Sequence, residues 1–412
     1  MPLPHAKPDL NIVSPANLLN PVPLCRYLQE TEPVYWSQEL QSWLVTRYED
    51  VTALFRDPRM SADRMRVYVE HQLREVDADV IKPFLRIAER QMLNRDSTEH
   101  ARLRRNANPG FTPQALEGFR PTIRQTADSL LDEVQKAGRM DLVSEFTELL
   151  PARVIMDLFA IPAKDRRSFQ EWSSDAVRLF GITTQDDLQE VARKTNAANV
   201  KLFEYLKSFV AERRAKPGSD MLSTMIHAQE GGRLDEEELI ANALLIVVAG
   251  HVTTVDQLAN GVHALLTHPE QLRKLKEDPS LIKSAVEEMM RFGPAVPFIH
   301  RIATEDIELR GKTIKRGQVV FLGMAAANRD PSVFPEPDRF DITRQNNKHL
   351  SFAFGPHTCI GATLARYDME FGVGRLLERM PDLRLDEERA SRIKCHSLVF
   401  RGFETLPVRW DA

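Results

Sequence analysis

The sequence predicts a mainly α, α-rich α+β fold. From Thr98 to about Phe400, apolar residues recur at helical spacing over most of the chain. Runs rich in β-branched and aromatic residues are short and fall in two patches, near residues 33–46 and 307–322. Strands set apart from helices in this way mark an α+β architecture.

Taken in order, Pro33-Val34-Tyr35-Trp36 and Ser42-Trp43-Leu44-Val45-Thr46 predict two strands bracketing a polar turn. Tyr48 to Phe55 predicts a helix, stopped by Asp57-Pro58 because the residue before proline leaves the α region. His100 and Arg104 stand at i and i+4 on one helix within Asp96–Arg105. Glu236 to His268 reads as a single helix about 50 Å long at ~1.5 Å per residue. Its centre, Leu244-Leu245-Ile246-Val247-Val248-Ala249-Gly250-His251-Val252-Thr253-Thr254, is apolar on all sides, which predicts burial through the core. Small Ala249 and Gly250 admit a flat ring close to the backbone, and Thr253 places a hydroxyl where the helix can loosen and admit water. Glu287-Glu288-Met289-Met290-Arg291 puts Glu288 and Arg291 at i and i+3 on one helix face, where they can pair. The second strand patch is Ile307-Glu308-Leu309, a turn at Arg310-Gly311, Thr313-Ile314 and Gln318 to Leu322. Ser397 to Arg409 is expected to be extended.

The composition narrows the function classes. A net charge of −4 over 412 residues gives no electrostatic reason to expect nucleic acid. Three cysteines, Cys25, Cys359 and Cys395, are too few and too scattered for a disulfide framework and fit a reducing cytoplasm. Met1 to Asn20 carries prolines and charges in place of a signal-peptide core. The longest apolar run, Ala243 to Gly250, is far short of the ~20 residues a bilayer requires. A cytoplasmic protein with no membrane segment is expected.

The most informative stretch is Phe352-Ala353-Phe354-Gly355-Pro356-His357-Thr358-Cys359-Ile360-Gly361. Gly355 and Gly361 flank a cysteine and allow a tight turn against a flat object. The helix-forming run Ala362 to Tyr367 follows at once and sets its unpaired N–H groups beside the sulfur. That favours thiolate, the metal-binding form. Phe352 precedes the cysteine, and His357 and Arg366 flank it. The chemistry indicated is thiolate-ligated haem.

This stretch resembles the haem-binding signature of the cytochrome P450 family, Phe-x-x-Gly-x-x-x-Cys-x-Gly, with every fixed position filled. The long helix resembles the family's oxygen-binding helix, Ala-Gly-x-(Asp/Glu)-Thr-Thr, with one departure: Val252 stands where the acid is expected. Glu288 and Arg291, with Arg339 from Phe334-Pro335-Glu336-Pro337-Asp338-Arg339-Phe340, match the family's structural triad behind the haem loop. The resemblance runs from the Trp43–Arg47 strand to Leu406-Pro407-Val408.

The resemblance implies a single cytochrome P450 domain over residues 1–412, a helical body with small β-sheets around a buried haem b (iron protoporphyrin IX). Cys359 is then the proximal iron ligand, pushing electron density toward the metal, and Thr253 the catalytic hydroxyl. His100, Arg104, Arg301 and His357 match positions that bind haem propionates, with Phe352, Gly355, Gly361, Ala249 and Gly250 against the ring. Leu245, Val248, Ala249, Val296, Ile299 and Leu398 are expected to face substrate, under a mobile roof from Met65–Met92 and Trp172–Thr195. That wall is apolar, so a lipophilic small molecule is expected, free or bound to a carrier protein. The implied activity is monooxygenation with O2, by hydroxylation or epoxidation, in a monomer. Electrons are expected from a separate ferredoxin-type or flavin protein, with Arg102 and Arg105 giving a basic docking face for an acidic ferredoxin. Two other readings stay open here. One is a haem-thiolate enzyme that does not insert oxygen, such as a dehydratase, isomerase or phenol-coupling catalyst. The other is a non-catalytic haem-binding sensor.

Overall fold

The computed structural model describes residues 8–65, 69, 73–181, 187–229, 234–394 and 397–411. The chain groups into two compact units, each assembled from segments distant in sequence.

The first unit comprises Met1–Ser61, Asp256–Cys359 and Leu383–Val408. Its centre is a five-stranded sheet. Val34–Ser37 pairs antiparallel with Ser42–Val45, which runs parallel to Val319–Gly323. Phe298–Ala303 pairs antiparallel with Val319–Gly323, and Met60–Ser61 closes the edge. Side chains alternate across the strands as the pleat requires. Leu44, Phe298 and Phe321 therefore join Leu24 and Leu28 in one buried cluster, whereas Val45, Val320 and Leu322 join Val51, Leu54 and Ile314 in another. Ile307–Leu309 and Lys312–Ile314 form a hairpin whose two turn residues, Arg310 (φ 49°) and Gly311 (φ 72°), are both left-handed. A two-residue turn of that kind matches the strands' twist.

Two sequence expectations change here. Phe298–Ala303 is a full strand of the sheet, although its sequence does not stand out beside two prolines and a charged pair. Conversely, Ser397 to Phe400 is a turn and not a strand, because Ser397 Oγ accepts from the N–H groups of Val399 and Phe400 at 2.9 and 3.2 Å. Extended pairing resumes only at Phe403–Thr405, opposite Arg392–Ile393.

The second unit, Ala62–Val255, Ile360–Asp382 and Arg409–Ala412, is mainly helical, with a short strand at Arg139–Asp141. Ala362–Arg379 packs on Arg120–Val134, which also carries Leu149–Leu158, and Leu188–Ala215 packs against Arg166–Ala176 and Ala78–Ala88. The two segments expected to form the roof meet in one cluster, with Met65, Leu73, Ile81 and Phe84 against Leu179 and Ala192. Residues 66–68, 70–72 and 182–186 of that expectation lie outside the described residues.

The long helix is continuous from Glu236 to Leu266. By length and composition it could cross a membrane, yet 67% of its most apolar window is buried inside the protein. Its apolar character therefore extends over an 18-residue window, beyond the run Ala243–Gly250, as a helix surrounded by its own protein allows.

Candidate active site

The cysteine loop is held from behind. Asn328 Oδ1 accepts from the Leu350 amide at 2.7 Å, its Nδ2 donates to Ser351 Oγ at 2.9 Å, and that hydroxyl donates to Met290 O at 2.7 Å. The loop then turns through Gly355, whose φ is +76°. A Cβ there would stand 2.8 Å from Phe55 O, so the left-handed turn and the close backbone both require glycine. Beside it the Arg56 guanidinium lies 4.3 Å from the centre of the Phe354 ring. The Cys359 amide donates to Phe352 O at 2.9 Å, closing the loop.

Cys359 itself is exposed, and Gly361 caps the helix Ala362–Arg379 directly after it. The positive end of that helix favours an anionic sulfur. Cys25 offers the contrast: it is buried, and burial pushes its thiol up to about 12. Cys395 lies outside the described residues.

Behind the loop, Glu288 and Arg291 are both fully buried and form a two-point pair at 2.7 and 2.8 Å. Arg291 also donates to the carbonyls of Asn328, Pro337 and Arg339 at 2.9, 2.7 and 3.0 Å. Glu288 further accepts from the Asp341 amide at 2.9 Å and from Asn347 Nδ2 at 3.0 Å. The second cation on Glu288 is Arg344, with Nε 3.2 Å from Oε2. This corrects the expected triad. The Arg339 guanidinium turns to the surface, 3.0 Å from Glu336 three residues back, and Arg339 enters the network through its carbonyl alone. Its charged partners are the carboxylates of Glu336 and Asp341, not Glu288.

The expected propionate partners divide between the units. Arg301 and His357 lie in the first. Arg301 is 4% exposed, in register with Val320 in the sheet, and its guanidinium lies 5.7 Å from the Phe55 ring centre. His100 and Arg104 lie in the second unit on the helix Ser97–Ala107, His100 buried and Arg104 half-buried. On the same helix, Arg102 is not available as a docking charge. It donates twice to Glu238, at 2.7 and 2.6 Å, and to Glu99 at 2.6 Å, clamping this helix to the start of the long one. Arg105 remains exposed.

On the long helix, Leu245, Ala249 and Thr253 open to solvent along one stripe, with Gly250 and Val252 half-buried beside it, while Ile246, Val247 and Val248 are buried. Steps of four residues keep this stripe on one side. Thr253 Oγ1 donates to Ala249 O at 3.0 Å and Thr254 Oγ1 to Gly250 O at 3.1 Å, without interrupting the helix. Gly250 answers a different neighbour: a Cβ there would stand 3.0 Å from Ile155 Cδ1. In the first unit, Val296 and Ile299 pack on the cluster containing Val45 and Leu322, and Leu398 on the one containing Phe298 and Phe321.

This donor set fits haem. No group of three or more His, Cys, Asp or Glu is placed to hold an ion among the described residues. A lone thiolate of this kind suits a metal that brings its other ligands, as a porphyrin iron does. The glycine turn against Phe55 and the buried network behind it fix the sulfur's loop.

Comparison with known proteins agrees. The sequence pattern described as "Cytochrome P450" matches residues 60–394. The chain is 36% identical over 397 residues to the biotin biosynthesis cytochrome P450 of Bacillus subtilis (strain 168), covering 96% of this chain and 97% of that one. It is 40% identical over 369 residues to the vitamin D(3) 25-hydroxylase of Pseudonocardia autotrophica, covering 89% and 87%. It also superposes with a TM-score of 0.87 on P450BioI, solved in complex with an acyl carrier protein ligated to hexadec-9Z-enoic acid, at 36% identity over 96% of this chain and 99% of that chain. Haem is the cofactor of these proteins' family, which draws its electrons from redox partners. With its cysteine signature complete and nearly its whole length matched, this chain belongs to the cytochrome P450 family and is a bacterial-type P450 monooxygenase.

Proposed function

We propose that the protein binds haem b through the Cys359 thiolate and oxygenates a long-chain lipophilic substrate, free or carried on an acyl carrier protein. His100, Arg104, Arg301 and His357 would receive the propionates, and Phe352, Gly355, Gly361 and Ala249 would lie against the ring, whereas Gly250, expected there too, packs toward Ile155. The observation that carries this is the exposed Cys359 in a loop whose turn admits only glycine at position 355.

Bound haem supplies the redox chemistry by which a C–H bond, O2, two electrons and two protons yield C–OH and water. The chain's own residues position and protonate. Thr253 already donates its hydroxyl hydrogen to Ala249 O, which leaves its oxygen to accept from a water. It therefore holds a proton donor and is not the origin of the proton. Val252, half-exposed beside it, has no proton to give. Solvent, or a polar group of the substrate, supplies the protons in this reading. Leu245, Val248, Val296, Ile299 and Leu398 would exclude water and hold an aliphatic chain.

We further infer a separate ferredoxin- or flavin-type donor, a role in secondary metabolism, a cytoplasmic location, and one domain acting as a monomer. The relative solved with a fatty-acyl carrier protein supports the substrate class. In the experiment, the haem-loaded protein is titrated with tetradecanoic acid, free and attached to acyl carrier protein, while the spin-state change is followed. Both are expected to bind, and a response to neither would remove the proposed substrate class. Cys359→Ala is expected to abolish the red-shifted absorption band of the reduced carbon-monoxide complex. An unchanged band would refute the ligand assignment.

A further inference from the structure

The second half of the long helix carries three buried polar residues that the proposed chemistry does not use. Asp256 is 1% exposed, and its Oδ1 accepts from Lys394 Nζ at 2.7 Å. Its other oxygen is buried and has no hydrogen-bond partner among the described residues. Gly402 presses on the same carboxyl: a Cβ at that position would collide with Asp256 Oδ1 and Cγ. One turn further, Asn260 Nδ2 donates to Arg401 O at 2.9 Å. Between them, Gln257 donates to Gly293 O at 3.2 Å and accepts from the Ala295 amide at 3.0 Å.

These contacts tie two segments to one helix face. The first, Gly293–Ala295, leads directly into Val296. The second, Arg401–Gly402, closes the turn that carries Leu398, a turn already fixed by Ser397 Oγ. The segments also bind each other, since the Arg401 amide donates to Ala295 O at 2.9 Å. Lys394 holds the near end of the turn, with its amide on Gly402 O at 2.9 Å and its ammonium on Asp256. A buried carboxylate with one oxygen unmatched is a poor way to gain stability, because desolvation offsets much of the ion pair's attraction. What such a pair fixes well is register.

We propose that Asp256 is a specificity-determining positioning residue: through Lys394 and Gly402 it sets where the Leu398 turn stands with respect to Val296, and thereby which lipophilic substrates fit. The proposal rests on the reading above that Val296 and Leu398 line the substrate site.

The test uses the haem-loaded full chain with Asp256→Asn, Lys394→Met and the double variant, each titrated with tetradecanoic acid and testosterone. Each single variant is expected to change the ratio of the two dissociation constants by about tenfold, with the double variant no further displaced than either single one. Lys394→Arg is expected to restore the original ratio. Amide exchange at Val399, Phe400 and Arg401 is expected to accelerate, while haem content stays that of the parent. Should Asp256→Asn fail to fold, Lys394→Met carries the test, since that side chain is 30% exposed. An unchanged ratio with increased peroxide release would make Asp256 a proton-delivery group and overturn the positioning role. Leu398→Ala separates the two levels. If it alters the ratio and the Asp256 and Lys394 variants do not, the wall stands and the positioning role falls. If none of the variants alters the ratio, Leu398 is no substrate wall and both readings fall.

Discussion

Arg344 Nε lies 3.2 Å from Glu288 Oε2, with the arginine 10% exposed and the glutamate fully buried. Arg344 also donates to the carbonyls of Pro335, Glu336 and Arg339 at 2.8, 3.2 and 3.0 Å. One guanidinium thus binds the buried acid to the chain leading into the cysteine loop. Arg339, five residues earlier and equally charged, spends its side chain on the surface.

Removing the two arginines should therefore have unequal effects. Arg344→Met strips one cation from a buried acid and is expected to cost about 2–4 kcal/mol and reduce haem retention. Arg339→Met keeps the carbonyl that matters and is expected to stay within ~0.5 kcal/mol of the parent. Urea unfolding of both variants decides it. Equal losses would restore Arg339 to the triad.

Gly355→Ala meets two obstacles, a left-handed φ of +76° and the Phe55 carbonyl 2.8 Å from the new methyl. The cost is expected to be about 1–3 kcal/mol, with lower haem incorporation. A variant with full haem content and an unshifted unfolding midpoint would show that the turn relaxes freely.

Asp368, on the helix that follows the cysteine, is 2% exposed, and burial raises its carboxyl well above the usual 3.8. The native state then keeps a proton that the unfolded chain releases above that value. Stability should fall as pH rises from near 4 to the raised native value and level off beyond it. Asp368→Asn should flatten this slope and raise the unfolding temperature at neutral pH. A slope identical to the parent's would mean that Asp368 is ionised in the fold.

Cys25 should resist alkylation. With its thiol pushed up to about 12 by burial, the thiolate fraction at mildly alkaline pH is negligible. Mass spectrometry after iodoacetamide treatment is expected to find Cys25 unmodified in the native protein and modified in urea. Rapid native modification would show that the surrounding core opens.

The sequence by itself determined the parts governed by neighbours along the chain. The glycine at 355, the helix start after Cys359 and the apolar stretch of the long helix are local facts, and they carried the family and its cofactor. The hairpin at Arg310-Gly311 was legible for the same reason, since turn chemistry acts over two residues. Tertiary structure decided which of several equivalent side chains meet. Arg102 looked like a surface charge until Glu238, 136 positions away, took it up. Asp256, on the long helix, pairs with Lys394, 138 positions away. Arg344 displaced Arg339 on Glu288 although both lie in one polar, proline-containing stretch. Charge and spacing make these candidates alike in sequence, and only the packed chain fixes which of them lies within hydrogen-bonding distance.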